Sequence, residues 1–221
     1  AYIARLISKG YKVAICEQTE DPAQAKGLVK RDIIRVITPG TVIDETSLEA
    51  GRSNFCAGIW LDERYAALCA CDISTGQMSA TAFEGPQRLE HLLFSPAEAV
   101  MNDGAFFDET LTGVLESKFH CHREKRKVPM EAAERLTREQ FGEDACARLP
   151  RENPAAVLAL GTLLNYLHET QKTDLSHIDS LDFYRQGQFM ELDLTARRNL
   201  ELTETLRGGE KRGSLLWVLD K

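Results

Sequence analysis

Phe55-Cys-Ala-Gly-Ile-Trp-Leu61, Tyr65-Ala-Ala-Leu-Cys-Ala-Cys-Asp-Ile73 and Gln77-Met-Ser-Ala-Thr-Ala-Phe83 decide the fold. Each run is short, apolar and bounded by polar or glycine-containing residues, which is the pattern of a buried strand. Asp62-Glu63-Arg64 and Ser74-Thr75-Gly76 separate them and leave room only for turns. Three strands joined by two tight turns predict an antiparallel meander.

Beyond Gly85 the rhythm changes. Pro86 opens an expected helix carrying Leu89, Leu92 and Leu93, and Pro96–Met101 reads as a strand. Residues 111–119 read as a helix, 120–128 as a strand, and 130–141 as a helix with Met130, Ala133 and Leu136 on one side. A meander followed by β-α-β-α is an α/β layout with helices covering the sheet, in the order of an RNase H-like unit. Upstream, Ile3, Leu6 and Ile7 mark a helix over 2–9 that Gly10 ends. Lys12–Glu17 and Lys30–Thr38 are expected strands, with a short helix from Asp21-Pro22 to Gly27 between them. Thr38-Pro39-Gly40-Thr41 predicts a turn, and residues 44–53 a linker.

Downstream, residues 142–153 read as a second join. Asn153-Pro154 then starts a long helix to Gln171, with Val157, Leu158, Leu160, Leu164 and Leu167 on its apolar side. Phe183–Leu192 suggests two extended stretches around Gly187. Asp193 caps a further helix expected to run through Arg207 and stop at Gly208-Gly209. The chain therefore divides into three expected units, 1–43, 44–150 and 151–221. It opens in mid-helix pattern without a Met and closes on Leu215–Lys221 as the start of another helix, so it reads as an internal piece of something longer.

With 221 residues, 43% hydrophobic and 28% charged, the composition is that of a soluble globular chain able to bury a core. No apolar run is long enough for a membrane span and no basic-then-apolar leader is visible, so a cytoplasmic location is expected. The six cysteines, Cys16, Cys56, Cys69, Cys71, Cys121 and Cys146, form no Cys-x-x-Cys pair and read as reduced, mostly buried thiols. Charge is uneven. Residues 1–40 carry seven Lys/Arg against four Asp/Glu, whereas residues 41–115 carry three against twelve. An acidic middle is a poor surface for a phosphate backbone, so any nucleic-acid contact belongs in the first forty residues.

Three motifs invite chemistry. Asp72-Ile-Ser-Thr-Gly76 offers a strand-end carboxylate of the sort a two-metal nuclease needs, but only Glu98 and Asp103 stand as loose partners, and Asp beside Gly is ordinary turn chemistry. His120-Cys121-His122 places two imidazoles on one strand face, short of the three or four ligands of a zinc site. The adjacent Arg123–Lys127 charge run suits a solvated edge strand. Arg207-Gly-Gly-Glu-Lys-Arg-Gly-Ser214 superficially resembles a phosphate loop but lacks the order of Gly, four residues, Gly-Lys-Ser/Thr. No catalytic residue and no metal site is expected.

Three strings carry a resemblance. They are Gly10-Tyr-Lys-Val-Ala-Ile-Cys-Glu-Gln18 with Asp21-Pro22, Lys26-Gly27 and Arg35-Val-Ile-Thr-Pro-Gly-Thr41; Asp72-Ile-Ser-Thr-Gly76; and Met190-Glu-Leu-Asp-Leu-Thr-Ala-Arg-Arg-Asn-Leu-Glu-Leu202 with Gly213-Ser-Leu-Leu-Trp-Val-Leu-Asp220. In this order and spacing the chain resembles the bacterial MutS DNA mismatch repair family. The resemblance implies that residues 1–43 are the C-terminal part of an α/β mismatch-binding domain. It implies that 44–150 are a connector domain, RNase H-like without nuclease activity, and that 151–221 start an all-α core or lever domain. In that family two subunits clamp mismatched double-stranded DNA, and ATP with Mg²⁺, bound in another domain, drives signalling to MutL. The Phe-x-Glu mismatch wedge would lie upstream of Ala1 and the Walker A loop far downstream of Lys221. The segment is thus expected to be a non-enzymatic connector and relay scaffold without a cofactor of its own. Lys26, Lys30, Arg31 and Arg35 are the candidates for contact with the DNA backbone, a solvated surface being the alternative for each. An RNase H-like nuclease built on Asp72 and a stand-alone protein-interaction module through 44–150 are the competing readings.

Overall fold

The computed structural model describes residues 2–7, 9–21, 27–42, 54–85, 96–149, 153–172, 174–184 and 194–220. The expected helices after Asp21-Pro22 and after Pro86, and the linker over 44–53, fall outside them. The meander is present: β3 (Phe55–Leu61), β4 (Tyr65–Asp72) and β5 (Gln77–Glu84) pair antiparallel, Cys56 opposite Cys71 and Ala67 opposite Ala82. They follow α1 (Tyr2–Ile7) and a separate two-stranded ribbon of β1 (Val13–Gln18) and β2 (Arg31–Ile37).

The chain then adds β6 (Pro96–Met101) parallel to β3, the short α2 (Asp103–Phe106), α3 (Glu109–Ser117), and β7 (His122–Lys125) parallel to β6. After α4 (Met130–Arg148) and α5 (Ala155–Gln171), β8 (Leu181–Phe183) pairs parallel with β5. The result is a mixed six-stranded sheet in the order β7-β6-β3-β4-β5-β8. The chain ends with α6 (Leu194–Asn199) and α7 (Leu215–Leu219).

Both faces of the sheet are covered, which is why β3 and β4 read as unbroken apolar runs rather than alternating ones. Cys56, Cys69, Cys71, Met78 and Val100 point to α5, while Ala57, Ile59, Leu68, Ala99 and Met101 point to α2 and α3. Gly58 lets α5 lie directly on the sheet: a Cβ there would stand 2.5 Å from the Ala159 carbonyl oxygen and 2.9 Å from the Leu163 Cβ. On the far side of α5, Gly161 meets Ala133 of α4 at a distance that admits no Cβ. α5 is consequently a layer between sheet and α4, with Ala155, Ala156, Leu160, Leu163, Leu164 and Leu167 all buried.

This packing corrects the expected domain boundary at 150. α5 and β8 complete the sheet unit instead of opening a helical one, because α5 is apolar around most of its circumference and must be enclosed. The expected join over 142–153 also starts too early. Helix continues to Arg148 on both sides of a kink at Gly142, whose φ of 79° suits glycine. His120, at φ 51°, ends the α3 turn, with the Cys121 N–H bonding the Leu115 carbonyl at 2.9 Å, so β7 is shorter than the 120–128 run. α2 has no counterpart among the expected elements; Asn102 caps it by accepting from the Ala105 N–H at 3.1 Å. The helix expected to run to Arg207 stops at Asn199. Glu201 at φ 47° turns the chain, and its carbonyl accepts the Leu215 N–H at 2.9 Å. Ser214 then caps α7, accepting from the Trp217 N–H at 3.2 Å.

Candidate nucleic-acid interface

Of the expected DNA-contacting residues, Arg31 and Arg35 lie on the ribbon and Lys30 directly precedes its second strand. Its base pairs Val13 with Ile37 beside the sheet, and its far end pairs Gln18 with Arg31. The Thr19 N–H extends the ladder to the Lys30 carbonyl at 3.0 Å. At about 3.3 Å per residue the far end stands roughly 20 Å from the base. Between Ile15 and Cys16 the register slips so that Ile34 has no opposite residue, a bulge that bends and twists the far end relative to the base.

Lys30 and Arg31 are exposed at that far end. Their long side chains share it with Glu17, Glu20 and Asp32, also exposed, and one Glu20 carboxylate oxygen accepts the Lys30 backbone N–H at 3.1 Å. Lys26 lies outside the described residues. Arg35 is different. It is half-buried nearer the base, its Nε donating to Gln171 Oε1 at 3.0 Å and its Nη2 to the Thr41 carbonyl at 3.0 Å. Gln171 is itself buried at the end of α5. Arg35 therefore fastens the ribbon to the sheet unit and does not share the exposed far end with Lys30 and Arg31.

The residue that sequence reasoning misjudged is Glu98. It stands on β6 with 1% exposure. Its Oε2 accepts from the Thr38 hydroxyl and from the Gly40 N–H at 3.2 Å, and its Oε1 accepts from the Tyr166 hydroxyl at 2.7 Å. Lys12 Nζ approaches the same Oε1 to 3.7 Å. Thr38 and Gly40 come from the turn over Pro39–Thr41, closed by the Thr38 N–H donating to Thr41 Oγ1 at 2.9 Å. A carboxylate buried this deeply costs several kcal/mol unless fully hydrogen-bonded, and these donors satisfy it. Burial and the neighbouring carboxylate push the Tyr166 phenol well above its usual range, and burial then Glu98 push the Cys56 thiol up. The signal in the sequence was a lone acid inside the apolar run Pro-Ala-Glu-Ala-Val-Met.

The nuclease reading needs Asp72 and Glu98 to converge. Alternation places them on opposite faces: Cys71 and Val100 face α5, so Glu98 does too, while Asp72 faces away. Asp72 instead closes the hairpin, accepting from the Ser74 N–H at 2.9 Å and from the Ser74 hydroxyl at 2.6 Å. Asp103 is exposed and paired with Lys125 at 3.0 Å. Among the described residues no group of three His, Cys, Asp or Glu side chains is arranged to hold a metal. His122 packs its ring against Gly10 at a distance that admits no Cβ there, and Cys121 is buried behind it. The 207–214 stretch is a turn whose Lys211 pairs with Asp220 at 2.6 Å. No helix among the described residues is long and apolar enough to cross a membrane.

Comparison with known proteins adds the name that geometry alone does not supply. The model for MutS domain I matches residues 1–46 and that for MutS domain II matches residues 54–179. The chain is 42% identical over 231 residues to the DNA mismatch repair protein MutS of Acetivibrio thermocellus, covering all of this chain and 26% of that protein. It is 42% identical over 229 residues to that of Symbiobacterium thermophilum, again over all of this chain and 26% of the relative. For the Clostridium tetani protein the identity is 38% over 224 residues, with all of this chain and 25% of the relative covered. The chain spans about a quarter of the length of the curated relatives it matches. A ribbon matching domain I, fastened to a sheet matching domain II, places the chain in the MutS DNA mismatch repair family.

Proposed function

We propose that this chain is the part of a mismatch-binding protein that carries a DNA-facing ribbon on a rigid connector sheet. Lys30 and Arg31 contact the duplex phosphates, Arg35 and Glu98 hold the ribbon in place, and the sheet passes the bound state on to the rest of the protein. The observation that carries this reading is the division of labour on one ribbon: exposed cations at the far end, fully bonded polar groups at the base. The relatives' name, DNA mismatch repair protein, supplies the ligand class. The strand order, a meander with two parallel strands added beside its first strand, supports an RNase H-like connector without nuclease chemistry. ATP with Mg²⁺, assembly of two subunits and signalling to MutL belong, on the family resemblance, to the full-length protein rather than to these residues.

The test is duplex binding followed by fluorescence anisotropy across a salt series. The double variant Lys30→Glu/Arg31→Glu is expected to bind more weakly, and its log–log salt slope to be shallower by roughly one unit for each phosphate interaction removed. An unchanged affinity and slope would remove these two residues from the DNA-binding surface.

A further inference from the structure

Both strands of the ribbon leave the sheet unit at one carboxylate. Lys12 immediately precedes β1, Thr38 immediately follows β2, and Val13 and Ile37 form the first pair between them. Thr38 and Gly40 bond Glu98 from one side, while Lys12 reaches it from the other. The two attachments differ in exposure. Glu98, Thr38 and Tyr166 are buried, whereas the Lys12 side chain is 42% exposed.

Lys12 also heads an outer ladder. It pairs with Glu124 on β7, Arg126 bonds Glu124 at 3.0 Å and Glu169 on α5 at 2.6 Å, and Arg126 Nη1 donates to Asn165 at 2.9 Å. The Tyr166 ring lies beside both cations of this ladder, with Lys12 Nζ 5.0 Å and the Arg126 guanidinium 5.2 Å from its centroid. Lys12 Nζ donates to the same tyrosine hydroxyl at 3.1 Å, and that hydroxyl donates onward to Glu98.

We infer that Lys12 and Glu98 are positioning residues for the DNA-facing ribbon, acting as a clasp with a buried pivot and a salt-sensitive outer hook. The Thr38–Glu98–Tyr166 bonds are dry and hold the β2 end at any ionic strength. The Lys12 pairs are partly solvated and screened, so they hold the β1 end only while the ladder is intact. Releasing Lys12 leaves the ribbon attached along its β2 side, at Thr38 and Arg35, but free to swing about that side, which moves Lys30 and Arg31 through the largest arc. This clasp rests on the proposed ribbon contact with DNA only for its consequence, not for its mechanics.

The experiment measures distance by spin labelling in the full 221-residue chain. One label sits on Cys16 of β1, which is exposed; the second is on Glu63→Cys in the exposed β3–β4 turn, with Cys146→Ser in the background. At low salt the parent is expected to give a narrow distance distribution. Lys12→Met loses the narrow component with no more than the small fall in melting temperature that losing a half-exposed ion pair brings, and Lys12→Arg restores the narrow component. At about 1 M salt, where the screening length falls to about 3 Å, the parent broadens to match Lys12→Met, which itself does not change further. A narrow distribution in Lys12→Met, or a parent insensitive to salt, overturns the clasp. A broadened distribution with duplex affinity unchanged upholds the clasp and counts against Lys30 and Arg31 as the DNA contact.

Discussion

At the scale of single residues, the ribbon shows that charge type does not assign role; commitment of the side chain does. Arg31 and Arg35 are four positions apart on the same strand, yet only Arg35 has its donors taken by Gln171 and Thr41. Arg35→Ala therefore removes a fastening and strands the buried Gln171 amide oxygen. It is expected to cost about 1–3 kcal/mol in a denaturant melt, whereas Arg31→Ala is expected to leave stability within roughly 0.5 kcal/mol. The cysteines make a second prediction. Burial pushes the Cys71 and Cys121 thiols up to about 12, and Cys56 and Cys69 are raised as well. Cys16 is exposed. Ellman's reagent at neutral pH should find a fast thiol that Cys16→Ser abolishes and a slower one at the half-buried Cys146, with these four responding only on unfolding. Four fast thiols would show that the sheet faces are open. Basic candidates were legible from composition, but their internal partners were not, because Gln171 lies 136 positions from Arg35 and no local pattern links them.

At the scale of elements, β3 and β6 were readable to the residue because apolar runs end at turn residues. α5 was readable as a helix and misplaced as a member of the next unit. Its sequence, Ala-Ala-Val-Leu-Ala-Leu-Gly-Thr-Leu-Leu-Asn-Tyr-Leu, is apolar around most of the cylinder, which marks an enclosed helix rather than an amphipathic one. A reading of one apolar stripe misses that. The small residues that let it sit between two layers have a further consequence. Gly58→Val forces β3 and the Ala159 carbonyl apart and is expected to cost roughly 1–3 kcal/mol or more, and Leu163→Ala about 2–5 kcal/mol through the cavity it leaves. Equal stability of Gly58→Val and the parent would mean that α5 does not lie on β3. α6 stops short of Arg207 for a reason no propensity reveals: the Glu201 carbonyl is taken by Leu215, fourteen residues on, which commits the chain to a turn.

At the scale of the whole molecule, the acidic middle and the mildly basic start resolve into a sheet unit and a ribbon joined through one network. Part of its response to pH follows from Glu124, which sits inside that network. Burial works to raise that carboxyl, but the hydrogen bonds and charges of Lys12 and Arg126 outweigh it and hold it below the ordinary carboxylate range. A carboxyl lowered in the folded state contributes stability above its unfolded value of about 4.3 and loses it as pH falls through the lower folded value. The melting temperature should therefore fall between about pH 5 and pH 2, and Glu124→Gln should flatten that fall. A variant with the parent's slope would place the responsible carboxyl elsewhere. The parentage was legible in three local strings, whereas the way the two matched domains are joined was not, since Glu98 draws its partners from positions 12, 38, 40 and 166. The central claim is that the ribbon end meets DNA while the sheet unit only holds it. Hydrogen exchange of the chain with and without duplex DNA tests this directly. New protection is expected only at residues 17–21 and 27–33, with β3–β6 unchanged; protection falling on β3–β6 and not on the ribbon would contradict that division.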